Sequence, residues 1–185
     1  MKPTFSSSES WQQASILMQP VFIRLIDNIR KQLDETGWKG AYRDVQRWPD
    51  GTPPETQYRF QKLQEEISHA SPEDVPELQQ ALEALPQPIP GYELLLQDGD
   101  RHITVDLWEV CYTICFLNYE AMQQTPGTPA IVDSGLLDES GQVDWNQLND
   151  KTRQIVSDIF AKLPQSDQPL TDSLVDESLA DESNE

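Results

Sequence analysis

"GWKGAYRDVQRW", residues 37–48, places three aromatics (Trp38, Tyr42, Trp48) and three cations (Lys39, Arg43, Arg47) in twelve residues of a strongly acidic chain. If the stretch is helical, Trp38, Tyr42 and Val45 share one face. Lys39, Arg43 and Arg47, at i, i+4 and i+8, then form a cationic stripe beside it. Two roles fit this pattern. The aromatics can complete the core while the cations pair with the protein's own acids. Alternatively, the stretch can face outward and grip a carboxylate-rich protein surface or anionic lipid headgroups, with Trp38, Lys39, Tyr42, Arg43, Arg47 and Trp48 as partner-binding residues.

The surrounding charge makes the question pointed. Through Lys62 the chain holds nine of its 13 Lys/Arg against seven of its 32 acids, a local balance of +2. The remainder holds four cations against 25 acids, a balance of −21. So polar a chain presents one end to an oppositely charged partner. A total of −19 argues against free nucleic acid, which requires a net cationic footprint.

At 185 residues the length suits one core with tails. A hydrophobic content of 37% with 14 prolines predicts a lean core and loop-rich connections. Residues 1–9 and 165–185 are expected to be disordered, flanking one helical domain over 10–164. The C-terminal segment carries seven acids and no cation. The N-terminal "MKPTFSSSES" lacks the apolar run of a secretory signal, and no stretch approaches the ~20 apolar residues that span a bilayer.

Between these limits the pattern is mostly helical. Ser10 with Gln13 predicts a capping box and a helix from Trp11, which Pro20 should kink or restart. Val21, Phe22, Leu25, Ile26, Ile29 and Leu33 form its apolar stripe, and Gly37 is a helix stop. Thr52 and Pro53 open a second helix that buries Phe60, Leu63 and Ile67, and "SPED" opens a third with Val75, Leu78, Leu82 and Leu85. "YELLLQDGDRHITVD" reads as a single β-hairpin turning at Asp98-Gly99. Asp106 caps a central helix predicted to run to Met122, apolar on nearly every side. "DESG" is the turn of a small second hairpin or loop, and Asp144 caps a last helix with Trp145, Leu148, Ile155, Ile159 and Leu163 inward. The expected fold is therefore mainly α, or α+β: one helical domain with one short hairpin.

The chemistry-bearing residues form no recognised site. Cys111 and Cys115 lie one helical turn apart in an apolar run, where two thiols are core residues of a reducing compartment, and a zinc site needs two further ligands. His69 and His102 have no nucleophile motif beside them. Aligning Gly141 with the invariant glycine of a calcium loop puts Leu136 and Gln147 at ligand positions, so that motif fails. There is no phosphate-binding or dinucleotide glycine loop. No catalytic residue, cofactor or metal is predicted, and the expectation is a non-catalytic interaction, assembly or regulatory protein. The alternatives are a soluble cytoplasmic regulator and an enzyme of unrecognised type.

In texture, "SWQQASILMQPVFIRLIDNIRKQLDETGWKGAYRDVQRW" and "ITVDLWEVCYTICFLNYEAM", with the acidic tail, resemble small conserved cyanobacterial proteins without an assigned activity, some found with thylakoid membranes. The resemblance implies a cytoplasmic setting, peripheral on the cytoplasmic face of the thylakoid membrane, with a protein partner and a peripheral membrane contact. It transfers no functional residue and leaves the oligomeric state open.

Overall fold

A computed structural model describes residues 3–164. The expected disorder of residues 165–185 falls outside the described residues. Among the described residues there are six α-helices and three strands: α1 Ser8–Glu35, β1 Lys39–Arg47, α2 Pro54–His69, α3 Val75–Glu83, β2 Ile89–Asp98, β3 Arg101–Asp106, α4 Leu107–Cys115, α5 Tyr119–Gln124 and α6 Trp145–Ala161. The mainly helical expectation holds, but the sheet has three strands where a lone hairpin was expected. The added strand is the basic aromatic stretch.

α1 starts earlier than the capping box at Ser10 predicts, because Ser7 Oγ accepts from the Ser10 amide at 3.1 Å and caps the helix one turn sooner. The helix then runs through Pro20 to Glu35 as one element and buries Ala14, Leu17, Val21, Leu25 and Ile29 at helical spacing. Within the segment 1–9 that was expected to be disordered, Phe5 packs against the core. The Thr4 carbonyl accepts from the Ala130 amide at 2.8 Å, and Phe5 meets Phe116 edge-on at 6.0 Å.

The predicted central helix breaks in two. α4 is capped as expected, with Asp106 Oδ1 accepting from the Trp108 and Glu109 amides at 2.8 and 3.3 Å. It stops at Phe116, which turns extended and bridges Val132. The carbonyls that a longer helix would use internally find other partners here. The Cys115 carbonyl accepts from Asp133 N, and Ile114 O accepts from Lys151 Nζ at 2.7 Å. Asn118 holds the break by donating to Pro129 O and accepting from Ile131 N. α5 then restarts the helical path.

α1, α4 and α6 pack together around Leu17, Leu25, Leu107, Ile114, Leu148 and Val156, all essentially inaccessible. Trp145, expected on the inner face of α6, is instead 46% exposed, with the Arg24 guanidinium 5.2 Å above its ring. The anticipated second hairpin reduces to one bridge, Leu137 with Val143, closing the turn at Asp138. Asp138 Oδ1 accepts from the Ser140 hydroxyl and from the Ser140 and Gln142 amides, and these bonds hold its carboxyl below the usual range.

The sheet is antiparallel in the order β1-β2-β3, so β2 is central and joins the helical layer through Leu94 and Leu96. β1 and β2 are connected by the α2–α3 hairpin over residues 48–88 rather than by a tight turn. This hairpin has its own small apolar contact, with Phe60 and Leu63 buried and Trp48 edge-on to Phe60 at 5.1 Å.

Candidate interaction surface

Strand pairing fixes where each residue of residues 37–48 points. Side chains alternate in a strand, so Trp38, Gly40 and Tyr42 share the inner face, while Lys39, Ala41, Arg43, Val45 and Arg47 share the outer one. Trp38 is buried in the core at 8% exposure. Tyr42 stacks on Tyr92 at 5.9 Å with the rings 11° apart, and burial raises its phenol pKa. Val45, grouped with the aromatics on the helical reading, belongs to the cation face. Of the six predicted partner-binding residues, Trp38 is buried, Trp48 packs on Phe60, Tyr42 stacks on Tyr92 while staying 39% exposed, and the three cations are displayed together on the outer face.

Two glycines shape the sheet. At Gly40 a Cβ would stand 2.6 Å from Leu33 Cδ1, so glycine lets the end of α1 close on the inner face. At Gly91, opposite Val45, a Cβ would stand 2.8 Å from both Arg47 Nε and Val45 Cγ2. The Arg47 side chain uses that lane across β2. Its Nη2 donates to Glu93 Oε1 at 3.1 Å and lies 2.7 Å from Asp106 Oδ2. Arg43 Nη2 reaches Glu93 Oε2 at 2.7 Å.

One chain of charges therefore runs across all three strands, from Arg43 through Glu93 and Arg47 to Asp106. Asp106 gives one oxygen to Arg47 and the other to the first amides of α4, tying the sheet edge to the helix start. The two carboxylates are mostly covered, at 14% and 12% exposure, while the guanidiniums remain 53% and 41% exposed. Arg47 Nε is buried without a hydrogen-bond partner among the described residues. Pairing with the protein's own acids thus accounts for Arg43 and Arg47. Lys39 makes no ion pair among the described residues and stands exposed at the start of β1.

Two further features complete the surface. The second edge of β1 pairs with no strand among the described residues, which leaves alternate backbone N–H and C=O groups available along nine residues. Beside Lys39, a depression of about 210 Å³ crosses the outer face between Ala41, Leu95, Gln97, His102 and Thr104. Sequence reading missed Glu93, Asp106, Gly91 and His102 as members of this surface, since their contribution depends on a register that joins segments 50 residues apart.

Cys111 and Cys115 are fully buried free thiols. Burial pushes the Cys115 thiol up to about 12 and Cys111 higher still, so neither is a nucleophile at neutral pH. Cys115 Sγ lies 3.7 Å from Met18 Sδ. His69 Nδ1 sits 2.9 Å from Glu65 O at the end of α2. Tyr119 lines a groove of about 600 Å³ with Asp106, Glu109 and Glu120, and burial pushes its phenol up to about 12. No group of three or more His, Cys, Asp or Glu among the described residues could hold a metal ion. No protein-family model matches the chain, and neither the curated proteins nor the solved structures contain a match.

Proposed function

We propose that the protein is a non-catalytic interaction module that captures an acidic, extended segment of a partner protein along β1. The observation that carries this reading is a long, solvent-exposed edge strand bearing Lys39, Arg43 and Arg47 on one face of a chain with net charge −19. An edge strand offers backbone hydrogen bonds to any extended chain, and its side chains select which chain is accepted. Two β1 edges would set cation against cation, which discourages self-pairing, whereas an acidic strand gains on both counts.

The geometry supports a protein partner over a lipid surface. Interfacial binding combines cations with adjacent apolar anchors, yet Trp38 and Tyr42 turn to the opposite face and Trp48 packs on Phe60. A setting at the periphery of a thylakoid membrane complex follows from the resemblance in texture and forms part of the proposal. No helix among the described residues is long and apolar enough to cross a membrane.

The test is binding of a synthetic peptide of alternating Asp and Thr, measured by fluorescence anisotropy. Lys39→Glu with Arg43→Glu should weaken it roughly ten-fold or more, since each lost ion pair is worth up to about 1 kcal/mol and each introduced acid adds repulsion. A similar unfolding midpoint in the variant would show that the fold is retained. Equal binding by a folded variant would remove β1 as the site.

A further inference from the structure

We infer that the other free edge of the sheet is a second docking site of opposite charge: β3, with the groove beside it, takes up a short extended segment of a partner protein that carries Lys or Arg together with apolar side chains. The inference goes beyond the reading of β1 and stands whether or not β1 binds acids.

Three observations converge on this occupant. The first is the edge itself. β3 pairs with β2 on one side and with no strand on the other among the described residues. The groove of about 600 Å³ touches Thr104, which points to the outer face of the sheet, and Val105, which points to the inner one, and no residue of β2 lines it. It therefore lies along the unpaired side of β3. Backbone groups alternate in direction along a strand, so one of Thr104 and Val105 presents both its N–H and its C=O to the groove. A segment laid there gains main-chain hydrogen bonds, as on any open sheet edge. Tyr119, buried in the lining, adds a donor. Its hydroxyl accepts from Gln123 Nε2 at 3.2 Å, and its own proton meets no acceptor among the described residues.

The second observation is charge. The groove is lined by Asp106, Glu109 and Glu120 and by no Lys, Arg or His. Asp106 is taken up by Arg47 and the start of α4. The Glu109 carboxylate makes no ion pair or hydrogen bond among the described residues, and Glu120 receives only a long bond of 3.4 Å from Gln124 Nε2. Burial, and after it the Glu109 charge, raises the Tyr119 phenol pKa, so that charge acts on the floor of the groove. The third observation is apolar surface. Val110 and Phe116 are buried in the lining, while Leu117 is 65% exposed. The Leu117 amide donates to Ile131 O at 2.8 Å, and Ile131, 55% exposed, continues the apolar rim. Apolar side chains beside the cations of the incoming segment would cover this surface, which a purely polar polycation would leave wet.

The β1 strand of a second copy is the rival occupant, since it is both cationic and extended. Each copy carries −19, however, so two copies repel on approach, whereas a short basic segment is attracted.

The probe is a synthetic peptide of alternating Lys and Val, followed by fluorescence anisotropy with the full chain at physiological salt. Glu109→Gln with Glu120→Gln should weaken binding roughly ten-fold. The same change of charge on α3, Glu73→Gln with Glu77→Gln, should leave it unaltered. No loss in the first variant, or an equal loss in both, overturns the inference. A second arm uses the unaltered chain and two further peptides, one N-methylated at every Lys amide and one at every Val amide. Only alternate amides of an added strand face β3, so one of these peptides should bind roughly ten-fold more weakly than the other. Equal affinity of the two overturns strand addition. A salt-sensitive dimer of the unaltered chain in sedimentation velocity, undisturbed by the Lys/Val peptide, overturns the inference in favour of the second copy.

Discussion

Arg47→Met tests whether the charge chain across the sheet holds β1 in place. The substitution keeps most of the apolar stem over Gly91 and removes the head that meets Glu93 at 3.1 Å and Asp106 at 2.7 Å. Glu93 retains Arg43 at 2.7 Å, but Asp106 loses the only cation that pairs with it among the described residues while remaining 12% exposed. A charge-assisted bond to a mostly covered carboxylate contributes about 1.5–3 kcal/mol, and half-exposure of the guanidinium reduces this. Relief of the unpartnered Arg47 Nε offsets a further part. The net expectation is a loss of about 1–2 kcal/mol, read as a lower denaturation midpoint at unchanged m. Asp106→Asn isolates the pair, because asparagine still caps α4 while losing the charge. A double-mutant cycle of the two should give a coupling of about 1 kcal/mol. Additive effects, or an Arg47→Met cost below about 0.3 kcal/mol, would show that Arg47 does not secure the strand.

Other expectations follow from the same contacts. Gly91→Ala should destabilise by about 1–2 kcal/mol, since a methyl 2.8 Å from Arg47 Nε and Val45 Cγ2 must push both aside, and it should abolish the coupling in the cycle above. Lys151→Met should cost about 2–3 kcal/mol in chemical denaturation, because it strips Ile114 O and Asp133 of their shared donor at the α4 break. Thiol labelling at pH 8 should find neither cysteine reactive in the folded chain and both reactive in denaturant. Because the folded Cys115 and Tyr119 groups ionise only near 12, against ordinary values of 9.0 and 10.0, their contribution is full at neutral pH. It should be lost as pH climbs from about 9 to 12, which alkaline unfolding curves would report.

The helices were largely legible in the sequence because their signals are local. The stripe of α1 and the caps at Asp106 and Asp144 each act within one or two turns, and all three are present. β1 was not legible, for a geometric reason. An interval of four residues returns a side chain to the same face of a strand, and to within about 40° on a helix, so Lys39, Arg43 and Arg47 look alike in both. Only the intervening residues distinguish the two: Val45 joins the cations in a strand and the aromatics in a helix. What decides between them is Glu93, fifty residues away along the chain. The break at Phe116 was hidden differently. A segment apolar on every side carries no period to interrupt, and the donors that end α4 come from Asp133 and Lys151.

The most direct measurement is amide chemical-shift mapping of the full chain titrated with the Asp/Thr peptide. Shifts should concentrate in residues 39–47 and around His102, grow with peptide concentration, and shrink in the Lys39→Glu, Arg43→Glu variant. Shifts centred instead on the groove at Tyr119, or none at millimolar peptide, would contradict β1 as the binding surface.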